Sequence, residues 1–315
     1  MQRVQSRRSF FSLTAAASAA FIAPRWMIGQ SAVPDRIAQG RVLAAQTPIT
    51  TTKLADNVYL LQGFGGNMAL QTGAEGNLLV DSSFSTSVQK VLASIAAVSK
   101  DAPHTLINTH WHYDHTDGNE GMHAAGFRIL AHAKTRERLS TPQTNSFFHM
   151  TVPPDPAGSW PAITFDDSVH LWHNGDSLDL AHFNPAHTDT DIYIHFNNAD
   201  VLHVGDIFFD GQYPFIDESS VGNIGGMIEA SEKALAIAGP QTKIIPGHGA
   251  LADKAQLQAY RDMLAAIRDR VAKLKAGGAT EQEAVARKPT ADLDATWAKG
   301  FVSGDVFTGL VYRTL

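Results

Sequence analysis

Four times along this chain an apolar run ends in His or Asp, three of them beside Gly or Pro, and that recurrence restricts the fold more than any other feature. The first instance is "HTLINTHWHYDH" (104 to 115), where His110, His112, Asp114 and His115 fall within six positions. The others are "NPAHTDTD" with His187, "HVGDIFF" with Asp206 and "IIPGHGA" with His248. Imidazoles crowded this closely repel one another once protonated, and they add little to a core. Such groups belong on loops at the ends of rigid strands, where sites are built.

Apolar periodicity supplies the strands. Segments 57 to 64, 67 to 73, 76 to 83, 104 to 110 and 127 to 133 read as strands, and 88 to 100 as a helix. "KTRERLS" reads as a short helix, and 141 to 167, rich in Pro, Gly and aromatics, as a long loop. The pattern then repeats in kind: strands "SVHLWH", "LDLAHFNP", "DIYIHFNN" and "DVLHVGDIFF", a helix over 227 to 239, and a strand over 242 to 247. Helices over 253 to 276 and 281 to 287 follow. Two successive strand-rich segments, each with helices, predict an α/β fold with two sheets face to face and helices outside, a four-layer αββα sandwich.

The first residues read differently. "SRRSFF" (6 to 11) precedes the mildly apolar "LTAAASAAFIAP", and no acidic residue stands before Asp35. This resembles a twin-arginine export signal, which implies the twin-arginine export machinery as a partner and a periplasmic or otherwise exported location. Cleavage is expected near "VLAAQ", after Ala44. The division expected is therefore a leader and linker over 1 to 44, a site-bearing domain over 45 to 252, and a helical extension over 253 to 315 packed on that domain. Residues 1 to 44 hold six Arg and one Asp, so removing them takes the formal charge from −6 to −11. An acidic surface argues against nucleic acid and anionic lipid as partners. No apolar run reaches the roughly 20 residues that span a bilayer, so no stable membrane anchor is expected after processing. The chain has no Cys. Any metal site must use nitrogen and oxygen ligands, and a thiolate nucleophile is ruled out.

With "HWHYDH" as an H-x-H-x-D-H signature, the chain resembles the metallo-β-lactamase fold superfamily. The resemblance runs from about 57 to 251 and takes in His187, Asp206 and His248 in the family's order, with Asp81 at the end of the early strand "LLVDSS". It implies one metal site of His110, His112 and His187, a second of Asp114, His115 and His248, and Asp206 bridging the two. Asp81 would orient the motif loop. The division suits two Zn²⁺, each taking three or four N/O ligands and leaving a position for water; iron or manganese would use the same donors. Two ions sharing a water would present hydroxide at neutral pH. Asp114 would orient that water and pass its proton to the leaving group. Asn223 and Tyr213 are candidate helpers at the oxyanion, and His149, in the 141 to 167 loop, is a candidate substrate contact.

The reaction implied is zinc-dependent hydrolysis of a small-molecule ester, thioester, lactone or amide. The ligand set resembles the glyoxalase II and lactonase branch. The stretch from "AHTDTD" to "SSVGNIGGMIEAS" instead resembles subclass B1 β-lactamases, which carry Cys where Asp206 stands and lack the His after the motif's Asp. β-Lactam hydrolysis is thus one alternative. A persulfide dioxygenase holding a single iron, which resembles the same His/Asp pattern, is another.

Overall fold

Apolar segments collect into two main sheets in the computed structural model, which describes residues 35–315. The twin-arginine motif lies outside those residues. The first sheet has the order β1 (Thr50–Lys53), β2 (Val58–Gln62), β3 (Met68–Gln71), β4 (Asn77–Val80), β5 (Pro103–Ile107), β6 (Arg128–His132) and β9 (Ile163–Phe165). The second runs β10 (Ser168–His173), β11 (Asp176–His182), β12 (Ile192–Phe196), β13 (Val201–Phe209) and β14 (Lys243–His248). Pairing is antiparallel from β1 to β4 and parallel from β4 through β9. In the second sheet β13 and β14 are the parallel pair.

Side-chain alternation shows how the layers stack. Leu60, Val80, Ile107 and Leu130 point inward and share one core with Leu180, Ile194, Phe196 and Ile245 of the second sheet. Their neighbours Leu61, Leu79, Leu106 and Ile129 point outward, onto Val91 and Ile95 of α2 (Val88–Val98). On the far side, Val204 and Phe208 meet α6 (Ile224–Ile237), α7 (Lys254–Ala276) and α10 (Gly304–Thr314). The result is the four-layer αββα sandwich. Because helices cover both outer faces, the central strands are apolar on both sides rather than on one. Helix α7 starts at a capping box of Asp253 and Gln256, and buries Leu257, Tyr260, Leu264, Ile267 and Val271 along one stripe. Among the described residues, no helix is long and apolar enough to cross a membrane.

One region differs from the sequence expectation. The loop over 141 to 167 contains a hairpin, β7 (Gln143–Asn145) with β8 (Met150–Val152), and the edge strand β9. Three-residue strands are too short to show a period. The expected boundary at residue 44 falls inside α1 (Arg36–Gln46), which belongs to the compact unit Pro34–Leu315. Gly40 lies buried under the Phe84 ring, and Ala44 is fully buried. Arg41 donates to both carboxylate oxygens of Asp117 (2.9 and 2.5 Å), and the Lys90 ammonium donates to the carbonyls of Ala44 and Thr47. A cation on the last carbonyls of a helix satisfies groups that would otherwise be orphaned.

The remaining helices are short: α3 (Tyr113–Thr116), α4 (Asn119–Ala124), α5 (Ala133–Ser140), α8 (Glu281–Ala286) and α9 (Asp294–Trp297).

Candidate metal centre

The motif loop is built from behind. Strand β5 stops at Ile107, three residues earlier than its pattern predicts, and His112 is the N-cap of α3, which carries Asp114 and His115. The amides of Asn108 and Asn119 pair reciprocally at 3.0 and 2.9 Å and close the loop. Asp81 accepts from the Thr109 N–H (2.8 Å), the Thr109 hydroxyl (2.7 Å) and His115 Nδ1 (2.7 Å). Its φ of 61° is a left-handed conformation that costs about 1–3 kcal/mol for such a residue. Three buried hydrogen bonds offset it.

The imidazoles of His110, His112, His115 and His187 are each anchored through one nitrogen, which leaves the other to face inward. His187, between β11 and β12, donates Nδ1–H to the Phe215 carbonyl (2.7 Å). His112 donates Nε2–H to Asp217 (3.0 Å), so its Nδ1 faces His187 Nε2 at 2.8 Å. Asp206 sits within β13, at a bulge made by Gly205 with φ of +53°. On β14, a Cβ at Gly247 would stand 1.9 Å from Asp206 Oδ1, so only glycine allows that approach. His248 ends the same strand.

These side chains form two groups. His110, His112, His187 and Asp206 each present one ligand atom within 4.8 Å of the others, and so do Asp114, His115 and His248. Asp206 stands between them: Oδ2 is 3.4 Å from His187 Nε2 and 3.3 Å from His248 Nε2, and Oδ1 is 3.1 Å from His115 Nε2. His110 Nε2 is buried without a hydrogen-bond partner. An unmet buried polar atom costs about 1–3 kcal/mol, and coordination of a cation would remove that cost. The donors are all nitrogen and oxygen, and the ring anchors match what metal-ligating histidines require. The residues present fit divalent transition-metal ions.

The electrostatics point the same way. Burial, and then the nearby His115, holds His110 well below its usual pKa, and burial takes His187 down to about 4. His115 goes the other way: burial opposes its charge, but Asp206, Asp114 and Asp81 outweigh burial and raise it well above 6.5. His248 rises against burial to about 9, chiefly through Asp206. Asp114 falls to about 2 despite burial, held down by His115 and His248. The carboxylates therefore demand positive charge, which protons on His115 and His248 supply and a divalent ion would replace.

The sequence model of the Metallo-beta-lactamase superfamily matches residues 61–249, a span holding all seven of these side chains. The chain belongs to the metallo-β-lactamase superfamily. Members of that superfamily are mostly metal-dependent hydrolases. No curated protein matches the chain by sequence. Similar solved structures include a metallo-beta-lactamase from Pontibacter korlensis, 17% identical with a TM-score of 0.58, covering 69% of this chain and 99% of that one. The sec-alkylsulfatase Pisa1 from Pseudomonas sp. is 16% identical with a TM-score of 0.65; it covers 88% of this chain, which spans 51% of the alkylsulfatase. The DIM-1 metallo-beta-lactamase is 16% identical with a TM-score of 0.55, covering 70% and 99%. At such identities these structures share the fold.

In this metallo-β-lactamase superfamily protein, a cavity of about 480 Å³ opens above the two groups, with His112, Asp114, His187, Asp206 and His248 in its lining. None of the three expected substrate contacts lines it. Asn223 is the N-cap of α6: its Oδ1 accepts from the Gly226 N–H (2.7 Å), and its amide donates to the Pro185 carbonyl (2.8 Å). An Asn directly before an apolar helix is a capping signal, and that signal was legible in the sequence. Tyr213 is buried, with its hydroxyl donating to Asp294 (2.9 Å). His149 lines a separate, shallower cavity with Glu218 and Arg313, whereas its neighbour Phe148 does line the main one. Sequence reasoning missed Asp217. It links His112 to Ser220 (2.6 Å), and Ser220 accepts from the Trp111 indole (3.1 Å). The nine other histidines stand outside both groups.

Proposed function

We propose that this protein is an exported, zinc-dependent hydrolase of a small-molecule ester, thioester, lactone or amide. The observation that carries the reading is the convergence of seven N/O side chains in two groups about Asp206, at the floor of a cavity. His110, His112 and His187 would hold one ion, Asp114, His115 and His248 the other, with Asp206 shared. Ions bound there supply Lewis acidity and bring the pKa of water from about 15.7 toward about 7, so no Ser or Cys nucleophile is needed. Asp114 is ionised at neutral pH and partly open to the cavity, 3.3 Å from His248 Nε2. Its carboxylate can take the proton of the attacking water and return it to the leaving group. The cavity's aromatic walls lower the local polarity, which strengthens those interactions.

Elemental analysis of the purified protein tests the centre, followed by turnover of lactones, thioesters, aryl esters and β-lactams. Two zinc per chain and carbonyl hydrolysis are expected, with activity lost by at least about a hundredfold in Asp114→Asn. One iron per chain with oxygen uptake on a persulfide would overturn the hydrolase. Turnover of β-lactams alone would narrow it to the β-lactamase reading. Export rests on "SRRSFF". Changing Arg7 and Arg8 together to Lys is expected to hold the precursor in the cytoplasm, and normal periplasmic delivery of that variant would remove the twin-arginine route.

A further inference from the structure

Helix α1 forms one wall of the cavity over the metal centre. Arg36, Gln39, Gly40 and Leu43 line it, at the i, i+3, i+4 and i+7 spacing that puts them on one helix face. The helix is fastened by the Arg41 to Asp117 pair, and Asp117 follows directly on the metal motif "HWHYDHT".

The chemistry of the lining is uneven. Phe64, Phe84, Trp111, Phe148, Phe215 and Phe301 supply an aromatic surface. Among the described residues, Arg36 is the one Arg or Lys in the lining. Its guanidinium lies 5.6 Å from the centre of the Phe148 ring, and among the described residues it forms no ion pair, unlike Arg41. A cation over an aromatic wall is placed to meet an anionic group on an apolar ligand.

We propose that α1 is retained after export as a substrate-binding wall, and that the substrate joins an aromatic or aliphatic body to an oxyanion group that pairs with Arg36. The oxyanion is a carboxylate or sulfonate, and the scissile bond lies over Asp114 and Asp206. This assignment rests on the hydrolase reading of the metal centre, and its test is a binding measurement that needs no turnover.

Two measurements decide it. The intact mass of the exported protein should place its first residue before Asp35; a start after Ala44 would discard the wall. Fluorescence titration then compares an anionic probe, anilinonaphthalene sulfonate, with the neutral N-phenylnaphthylamine. The wild-type protein is expected to prefer the anionic probe, Arg36→Ala to reduce that preference about tenfold, and Arg36→Lys to keep most of it. An unchanged ratio of the two affinities in Arg36→Ala would overturn the assignment. Failure to hydrolyse any ester, thioester, lactone or amide, with the preference intact, would refute the hydrolase and not the anion site.

Discussion

Among single residues, Asp217 has the most specific task. Its carboxylate fixes the His112 ring through Nε2 and so presents Nδ1 to the centre. The His112 partner keeps Asp217 below the usual carboxylate range, at about 2, against the opposing effect of burial. Asp217→Ala leaves the ring free to turn, and is expected to weaken metal binding by about 10- to 100-fold with the circular dichroism spectrum unchanged. Asp217→Asn retains an acceptor oxygen and should lose less. Chelator competition measures both, and equal wild-type affinity in the Ala variant would show that His112 is held by something else. Asp81 performs the same service for His115, yet only Asp81 was legible in the sequence. It ends an apolar strand beside the family motif, whereas Asp217 lies in "FIDESS", 105 positions from the ring it orients.

Among the elements, the parallel pair β13 and β14 controls the centre. Asp206 and His248 come from these adjacent strands, and the Gly205 bulge with the bare Gly247 lets the backbones close up around the carboxylate. A methyl group at 247 would stand 1.9 Å from Asp206 Oδ1 and 2.7 to 2.8 Å from the β13 backbone at Gly205 and Asp206, so both the carboxylate and the strand spacing must give. Gly247→Ala is therefore expected to lose bound metal, by elemental analysis, while its thermal unfolding remains cooperative. Full metal content in that variant would mean that the strand spacing has slack. The strands themselves followed from the apolar runs in "DVLHVGDIFF" and "TKIIPG". The bulge did not, because a glycine within a strand pattern signals either a bulge or a close approach without saying which.

In the whole molecule, the sandwich brings its charges to one end and leaves them to be balanced by a cation. His115 and His248 bind protons that a metal ion must displace, so metal affinity should rise with pH until His248 loses its proton near pH 9. About tenfold per pH unit is expected for each proton released, measured by competition with a chelating dye between pH 6 and 8. A flat profile would mean that both rings are already neutral. The same shifts fix the sign for the chelated protein. Groups with raised pKa stabilise it fully below pH 6.5, and that contribution is lost as pH rises through about 9. Chelated protein should accordingly melt at lower temperature at pH 9 than at pH 7.

The sequence alone determined the two strand-rich halves, the helices between them and the seven side chains that gather at the centre. Period, turn residues and motif spacing are local properties, and each acts over a few positions. Only the tertiary structure decided what meets across the sandwich: Asp217 behind His112, the Asn223 amide on the Pro185 carbonyl, Tyr213 bonded to Asp294, and α1 beside the cavity over the centre. Those pairings depend on how layers settle against one another, and burial and long-range hydrogen bonding set them between residues with no shared local pattern.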